Sequence, residues 1–363
     1  MLRKIALAIL LVIIAAALWL LAAPSPIDPV AYVPPPPPQM TGVLAPNDLL
    51  RRTELLAKGK VRGPETVALD AAGRIYGGTE DGRVVRVSEA GGTERVETFA
   101  KTGGRPLGLQ FDAAGNLIVA DGKKGLLSID PRGRVTVLAT EAEGVPFRFT
   151  DDVEIASDGT IYFTDASSRF GVGEHLYDLL EARPHGRLLT YDPASKTARV
   201  LLRGLYFANG VALSRDESFL LVAETYRSRL RRLWLRGPHQ GTTDVFADNL
   251  PGYPDGVAAD GHGTFWVAMF TVRNQAADRL QPRPWAKRLL AKLPSFLWPR
   301  PEPYGLVLAF GEQGRLLRSF HDPGGRRVSP VTSVQPADGV LYLGTLTGDW
   351  IGRYRLGDPA RVR

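Results

Sequence analysis

Residues 152–165 read DVEIASDGTIYFTD, a strand, a Ser-Asp-Gly turn and a second strand that ends on an acid. Val153 and Ile155 alternate with Glu154 in the first arm, and Ile161, Tyr162 and Phe163 fill the second, so both arms read as half-buried antiparallel strands. The phrase returns as TVALDAAGRIYGGT from Thr66, LGLQFDAAGNLIVAD from Leu107, GVALSRDESFLLVAET from Gly210, GVAADGHGTFWVAM from Gly256 and TSVQPADGVLYLGT from Thr332. After most copies comes a further strand, such as 82–88, 125–130, 186–191 or 229–235. Four-stranded units repeating every ~40 to 50 residues are how propellers are written. Six copies predict a six-bladed β-propeller.

Gly73, Gly115, Gly159, Ser218, Gly263 and Gly339 mark one phase of the repeat, with intervals of 42, 44, 59, 45 and 76 residues. The two long intervals place insertions around Ser167–Arg183 and Thr271–Tyr304, expected as loops or short helices on one rim. The segment Thr53–Val61 is expected to close the ring as a strand of the last blade.

Upstream of the repeats, Arg3 and Lys4 precede Ile5–Ala23, nineteen residues without a charge. A bilayer core needs about 20 apolar residues as a helix, and a cleaved signal has a shorter apolar region. An uncleaved anchor is the expectation, although Leu21-Ala22-Ala23 leaves cleavage open. The basic residues keep the N-terminus cytoplasmic and send the rest across. The fold class is therefore all-β, a six-bladed β-propeller with an N-terminal transmembrane helix and a short helical insertion. The expected division is 1–4 cytoplasmic N-terminus, 5–23 transmembrane anchor, 24–45 Pro-rich linker acting as a stiff spacer, and 46–363 propeller. The expected location is a single-pass membrane protein with its propeller on the periplasmic or extracytoplasmic side.

The formal charge of +7 is spread along the chain with acids between the cations, which argues against a nucleic-acid partner. The densest run, Arg227 to Arg236, alternates with Leu230, Leu233, Trp234 and Leu235 as a solvated strand face would. There is no cysteine, so disulfides, zinc knuckles and thiol nucleophiles are excluded.

Innermost propeller strands begin near the axis, and the residues there are Glu65, Asp151, Asp152, Asn209 and Asp255. Each alone is open to a plain explanation, because Asn-Gly and Pro-Asp-Gly are common turn sequences. Recurrence at one phase of four blades points instead to a shared site of oxygen ligands. Such a set suits Ca2+ first, with Mg2+, Mn2+ or Zn2+ as alternatives. The ion would polarise a lactone or ester carbonyl while Asp151 or Asp255 serves as general base. No G-x-S-x-G, P-loop, G-x-G-x-x-G or H-E-x-x-H occurs.

GRPLGLQFDAAGNLIVADGKKGLLSID from Gly104, DDVEIASDGTIYFTDASSRF from Asp151, AETYRSRLRRLWL from Ala223, NLPGYPDGVAADGHGTFWVAM from Asn249 and HDPGG from His321 together resemble the strictosidine synthase-like family, in its adipocyte plasma membrane-associated protein-like branch. The resemblance covers nearly all of the chain beyond the linker. It implies kinship with gluconolactonases, senescence marker protein and paraoxonases, and metal ligands at Glu65, Asp151, Asn209 and Asp255. Relatives usually carry Asn at the position of Asp151. The paraoxonase histidine of the second blade corresponds to Leu107, which cannot move protons. The acid of strictosidine synthase matches no position. Glu224, Arg229 and Arg232 fit the family phrase A-E-T-x-x-x-R, as an ion pair between strands or, for Glu224, as a pocket residue beside Asp152.

The second insertion contains WAKRLLAKLPSFLW from Trp285 to Trp298. Leu289, Leu290, Leu293, Phe296 and Leu297 lie on one side and Lys287, Arg288 and Lys292 on the other. With Trp285, Leu289, Leu293 and Trp298 it is either a lid over the pocket or an interfacial membrane helix. The leading expectation is a membrane-anchored, metal-dependent hydrolase of lactones or esters. The alternatives are a non-catalytic propeller that binds a protein or ligand, and a carbon–nitrogen condensing enzyme.

Overall fold

A computed structural model describes residues 1–357, apart from the side chains of residues 8, 12, 13, 16–19, 21 and 90. Six four-stranded antiparallel sheets follow one another around an axis, and the repeat is their cause. In blade 3, Thr150–Ile155, Ile161–Asp165, Gly186–Asp192 and Thr197–Leu205 run outward in sequence order. Blades 1, 2, 4 and 5 occupy residues 67–101, 106–139, 208–247 and 252–323. In blade 6, three strands of residues 333–355 are completed by Glu54–Leu56, which pairs with Ile351–Arg353 and so closes the ring between the two ends of the chain.

The turn between first and second strands is built by the recurrent Asp. Asp112 Oδ1 accepts the amides of Ala114 and Asn116 at 2.9 and 2.8 Å, and Gly115 takes the left-handed φ of +81° that the turn demands. Asp70 and Asp260 repeat the device. Apolar faces then fill the wedges between blades. Between blades 4 and 5, Phe219, Leu221, Phe246, Phe265, Leu306 and Phe310 form one buried cluster, each side chain contributing roughly 1.5–3 kcal/mol of transfer free energy.

Both insertions lie between second and third strands. Helix α1 is Leu2–Ala22; α2 is His175–Glu181 in blade 3, and α3 (Gln275–Leu280) and α4 (Pro284–Ala291) belong to blade 5. Asn274 caps α3 by accepting the Ala276 and Ala277 amides. Pro284 opens α4, where its missing N–H costs nothing. Phe170, Leu180, Ala291 and Ile27 form the apolar cluster that joins the two insertions.

Two expectations need correction here. The single-pass anchor over 5–23, with its cytoplasmic N-terminus and a periplasmic or extracytoplasmic propeller, is overturned: among the described residues no helix is long and apolar enough to cross a membrane. A span needs about 20 continuous apolar residues in one helix. The membrane as a partner through that helix goes with it; the insertion segment 285–298 is a separate element. The amphipathic pattern of that segment also resolves differently, since Lys287 is fully buried while Trp285, Phe296 and Leu297 are exposed.

The Pro-rich segment is not a free spacer. Polyproline backbone satisfies none of its own polar groups, and the propeller bonds to them: Arg273 donates to Pro35 O at 2.9 Å and Asn249 to Pro36 O at 2.8 Å.

Candidate functional site

Pairing of first and second strands slips at one equivalent place in four blades: between Pro106 and Gly108, Thr150 and Val153, Ala208 and Val211, and Pro254 and Val257. These are β-bulges, which re-aim a side chain out of the pleat. The residues they release are Leu107, Asp151–Asp152, Asn209 and Asp255, with Glu65 and Thr332 at the same phase of blades 1 and 6. Asn-Gly and Pro-Asp-Gly therefore sit inside strands and form no turns. Their glycines are needed for close approach. A Cβ on Gly210 would lie 2.3 Å from Val257 N, and one on Gly256 would lie 2.8 Å from Thr332 O.

In blades 2, 3 and 4 an acid at the end of the second strand fixes the segment that leads into the bulge. Asp121 Oδ1 accepts the Arg105 amide at 2.8 Å. Asp165 Oδ1 accepts the Arg148 and Phe149 amides, while its other oxygen takes two bonds from Arg187 at 3.1 and 2.6 Å. Glu224 accepts the Tyr206 amide at 3.1 Å and the Arg229 guanidinium at 2.5 Å. The role of Glu224 is thus to hold backbone and a neighbouring strand.

Glu65, Asp151, Asn209 and Asp255 are 5%, 3%, 7% and 6% exposed, and they influence one another. Burial, then the charges of Glu65 and Asp255, push the Asp151 carboxyl well above the usual range. Asp255 is raised by burial and by Glu65, against a hydrogen bond from Asn209. Burial holds Glu65 up at about 8, opposed mainly by the Arg105 guanidinium. Asp152, raised by burial to about 7, accepts the Val211 and Val153 amides. Among the described residues Asp151 Oδ2 is buried without a hydrogen-bond partner.

Arg105 was not singled out from the sequence. It is 4% exposed and donates to Gly63 O at 2.8 Å as well as facing Glu65. A basic residue between two glycines and a Pro-Leu strand start, in GRPLG, was the available signal.

Above the acids lies an apolar cap of Leu107, Phe149, Ala166 and Phe207, with Val172 and Tyr226 packed on it. Phe207 has φ +58°, a costly conformation for a bulky residue and one that marks functional sites. Further along the inner strands the channel widens to about 290 Å³, lined by residues such as Gln110, Glu154 and Gln335 and by none of the four predicted ligands.

The expected metal does not fit this arrangement. Among the described residues no group of three or more His, Cys, Asp or Glu side chains could hold an ion. The Arg105 guanidinium already supplies a cation against Glu65, and Asp151 keeps a buried oxygen that meets no partner among the described residues. Ca2+, and equally Mg2+, Mn2+ and Zn2+, are withdrawn as cofactors, and with them metal-dependent hydrolysis of lactones or esters.

Elsewhere Ser319 Oγ lies 2.8 Å from His321 Nε2, and Tyr304 Oη lies 3.0 Å from Nδ1. This is no nucleophile pair. The serine hydroxyl donates to Val43 O, and burial pushes the imidazole down to about 4.

The family description "Strictosidine synthase" matches residues 151–238, and "Strictosidine synthase-like, N-terminal" matches 42–87. The adipocyte plasma membrane-associated protein of Rattus norvegicus is 38% identical over 360 residues, covering 92% of this chain and 93% of its own. Protein STRICTOSIDINE SYNTHASE-LIKE 10 of Arabidopsis thaliana is 37% identical over 348 residues, covering 87% and 93%. Among solved structures, a gluconolactonase from Xanthomonas campestris superposes with a TM-score of 0.62 at 20% identity over 93% of this chain and 99% of its own. A calcium-binding regucalcin from Agrobacterium tumefaciens gives 0.56 at 14% identity over 81% and 89%. At these identities the structural likeness shows the fold. The sequence matches tie the chain to propellers of enzyme families.

Proposed function

The chain belongs to the strictosidine synthase-like family, within the gluconolactonase, senescence marker protein and paraoxonase superfamily, and from this premise we propose that it is a ligand-binding propeller whose axial acids take a small molecule bearing a protonated nitrogen. The observation that carries this reading is Asp151, a buried carboxyl with one oxygen unpartnered beside Glu65 and Asp255. An ammonium group supplies both the donor and the charge that this position lacks. The apolar cap of Leu107, Phe149 and Phe207 suits the body of an arylalkyl ligand.

In this proposal residues 46–363 are the functional unit. Asp151 contacts the nitrogen, the charges of Glu65 and Asp255 stand beside it, Asn209 orients Asp255, and Asp152 and Glu224 hold the inner strands in place. Trp285, Leu289, Leu293 and Trp298 belong to a cover over the insertion rim.

Calorimetric titration with 2-phenylethylamine tests the reading. The wild-type chain is expected to bind, and Asp151→Asn to weaken binding by about thirtyfold, or about 2 kcal/mol. Equal affinity of both proteins would end it.

A second reading draws on the raised carboxyl of Glu65. A group held near 8 is a competent general acid at neutral pH, as dehydration of an amine–aldehyde adduct to an imine requires. Turnover of an amine with an aldehyde, lost in Glu65→Gln, would favour a condensing enzyme. Turnover of aryl esters or lactones, lost in Asp255→Asn, would instead favour a hydrolase acting on ester bonds.

A further inference from the structure

We infer that Tyr32, which lies ahead of the propeller in the chain, is a positioning residue of the apolar cap of Leu107, Phe149 and Phe207 and acts on it through Arg227. The inference rests on the ligand-binding reading above. The Arg227 guanidinium is sandwiched between two rings, 3.8 Å from the centroid of Tyr32 and 3.5 Å from that of Tyr206. Its other partners are backbone: Nη2 donates to Ala182 O at the end of α2, and Nη1 to Tyr226 O. Among the described residues no carboxylate is hydrogen-bonded to this cation, and the stacking is its principal lateral restraint.

What Arg227 holds is the aromatic side of that cap. Tyr206 precedes Phe207, whose left-handed backbone is maintained by bonds on both sides: the Tyr206 amide donates to Glu224, and Phe207 O accepts the Thr225 amide at 3.2 Å. Tyr226 packs on Phe207 with ring centroids 4.6 Å apart and donates its hydroxyl to His175 O at 2.9 Å. Burial, then the charges of Asp178, Asp255 and Asp151, raise the Tyr226 hydroxyl. Thr225 Oγ1 donates to Pro254 O at 2.7 Å, directly before Asp255.

Tyr32 is itself fixed. Its amide donates to Gln281 O at 3.1 Å and the Val30 amide donates to Glu181 O at 3.0 Å. Buried Lys287 donates to Val30 O at 2.6 Å. The segment thus ties the two insertions together and presses one aromatic ring onto Arg227. Replacing that ring frees one face of the guanidinium, and with it the Tyr206–Phe207 and Tyr226 walls.

Hydrogen exchange and titration with 2-phenylethylamine on full-length wild type, Tyr32→Ala and Tyr32→Phe test this. Tyr32→Ala is expected to speed exchange at the Phe207 and Tyr226 amides and to weaken binding about tenfold, while exchange in blades 1 and 6 stays unchanged. Tyr32→Phe, which keeps the ring, restores both readouts. Wild-type exchange at Phe207 and Tyr226 in Tyr32→Ala overturns the inference. Should wild type fail to bind the amine, the ligand reading falls, and the exchange rates still decide the part played by Tyr32.

Discussion

Asp152 crosses a blade boundary to accept the Val211 amide at 3.0 Å. Its carboxyl stands where blades 2, 4 and 5 have Gly108, Gly210 and Gly256, so it fills with a hydrogen bond the space that those blades close with backbone. Asp152→Ala leaves that amide unpaired and is expected to cost about 1–3 kcal/mol. Asp152→Asn, which keeps an acceptor, should cost less. Urea denaturation of the two variants measures the difference, and equal losses would show that the bond to Val211 is not the cause.

The buried acids set the pH dependence of stability. Glu65 and Glu154 are raised to about 8, Asp152 and Asp178 to about 7, all chiefly by burial. Above about pH 6.5, where histidines of the unfolded chain are neutral, the folded state still holds protons on these carboxyls and the unfolded state does not. Stability therefore falls as pH rises from 6.5 to 8. His321, pushed down to about 4, acts with the opposite sign but only below 6.5. Melting temperature is expected to drop across that upper window, less steeply in Glu154→Gln. An identical slope in the variant would remove Glu154 from the explanation.

Removing Asp165 should be among the most damaging single changes. Arg187, 3% exposed, would keep its charge without its carboxylate, and the Arg148 and Phe149 amides would lose their acceptor. Breaking a buried pair in this way costs about 3–5 kcal/mol. Chemical denaturation of Asp165→Ala against wild type checks it, and a loss under about 1 kcal/mol would contradict it.

Gly210→Ala places a Cβ 2.3 Å from Val257 N and 2.5 Å from Asp255 O, both backbone atoms of the neighbouring blade. The inner strands must part to admit it, at about 1–3 kcal/mol or more. Because Asp255 sits on the displaced strand, amine affinity should fall alongside stability. Gly261→Ala is the control at an open position, where the cost comes from its positive φ and not from crowding. It should lower stability without touching affinity.

Ser319→Ala is expected to lower stability while leaving amine binding at its wild-type value. The hydroxyl bridges His321 and Val43 O, far along the chain from the axial acids. Thermal melting and titration of the same sample separate the two effects. A loss of affinity would tie this cluster to the site.

The recurrent Asp turns, the alternating strands and the closing segment, expected within 53–61 and found as the strand Glu54–Leu56, were legible in the chain, because each depends on contacts within one blade or on a period that local residues impose. Glu65, Asp151, Asn209 and Asp255 could also be picked out by phase. Their chemistry could not. Whether oxygen atoms surround an ion or share protons depends on bulge geometry, on Asn209 against Asp255 and on Arg105 against Glu65, pairs 46 and 40 positions apart in the chain. The sequence by itself determined a six-fold repeat with acids at one phase. Only the tertiary structure decided what those acids face and that residues 27–36 are strapped to the insertion rim. The reason is that side-chain charge and burial are set by neighbours that ring closure brings together, and no local period encodes them.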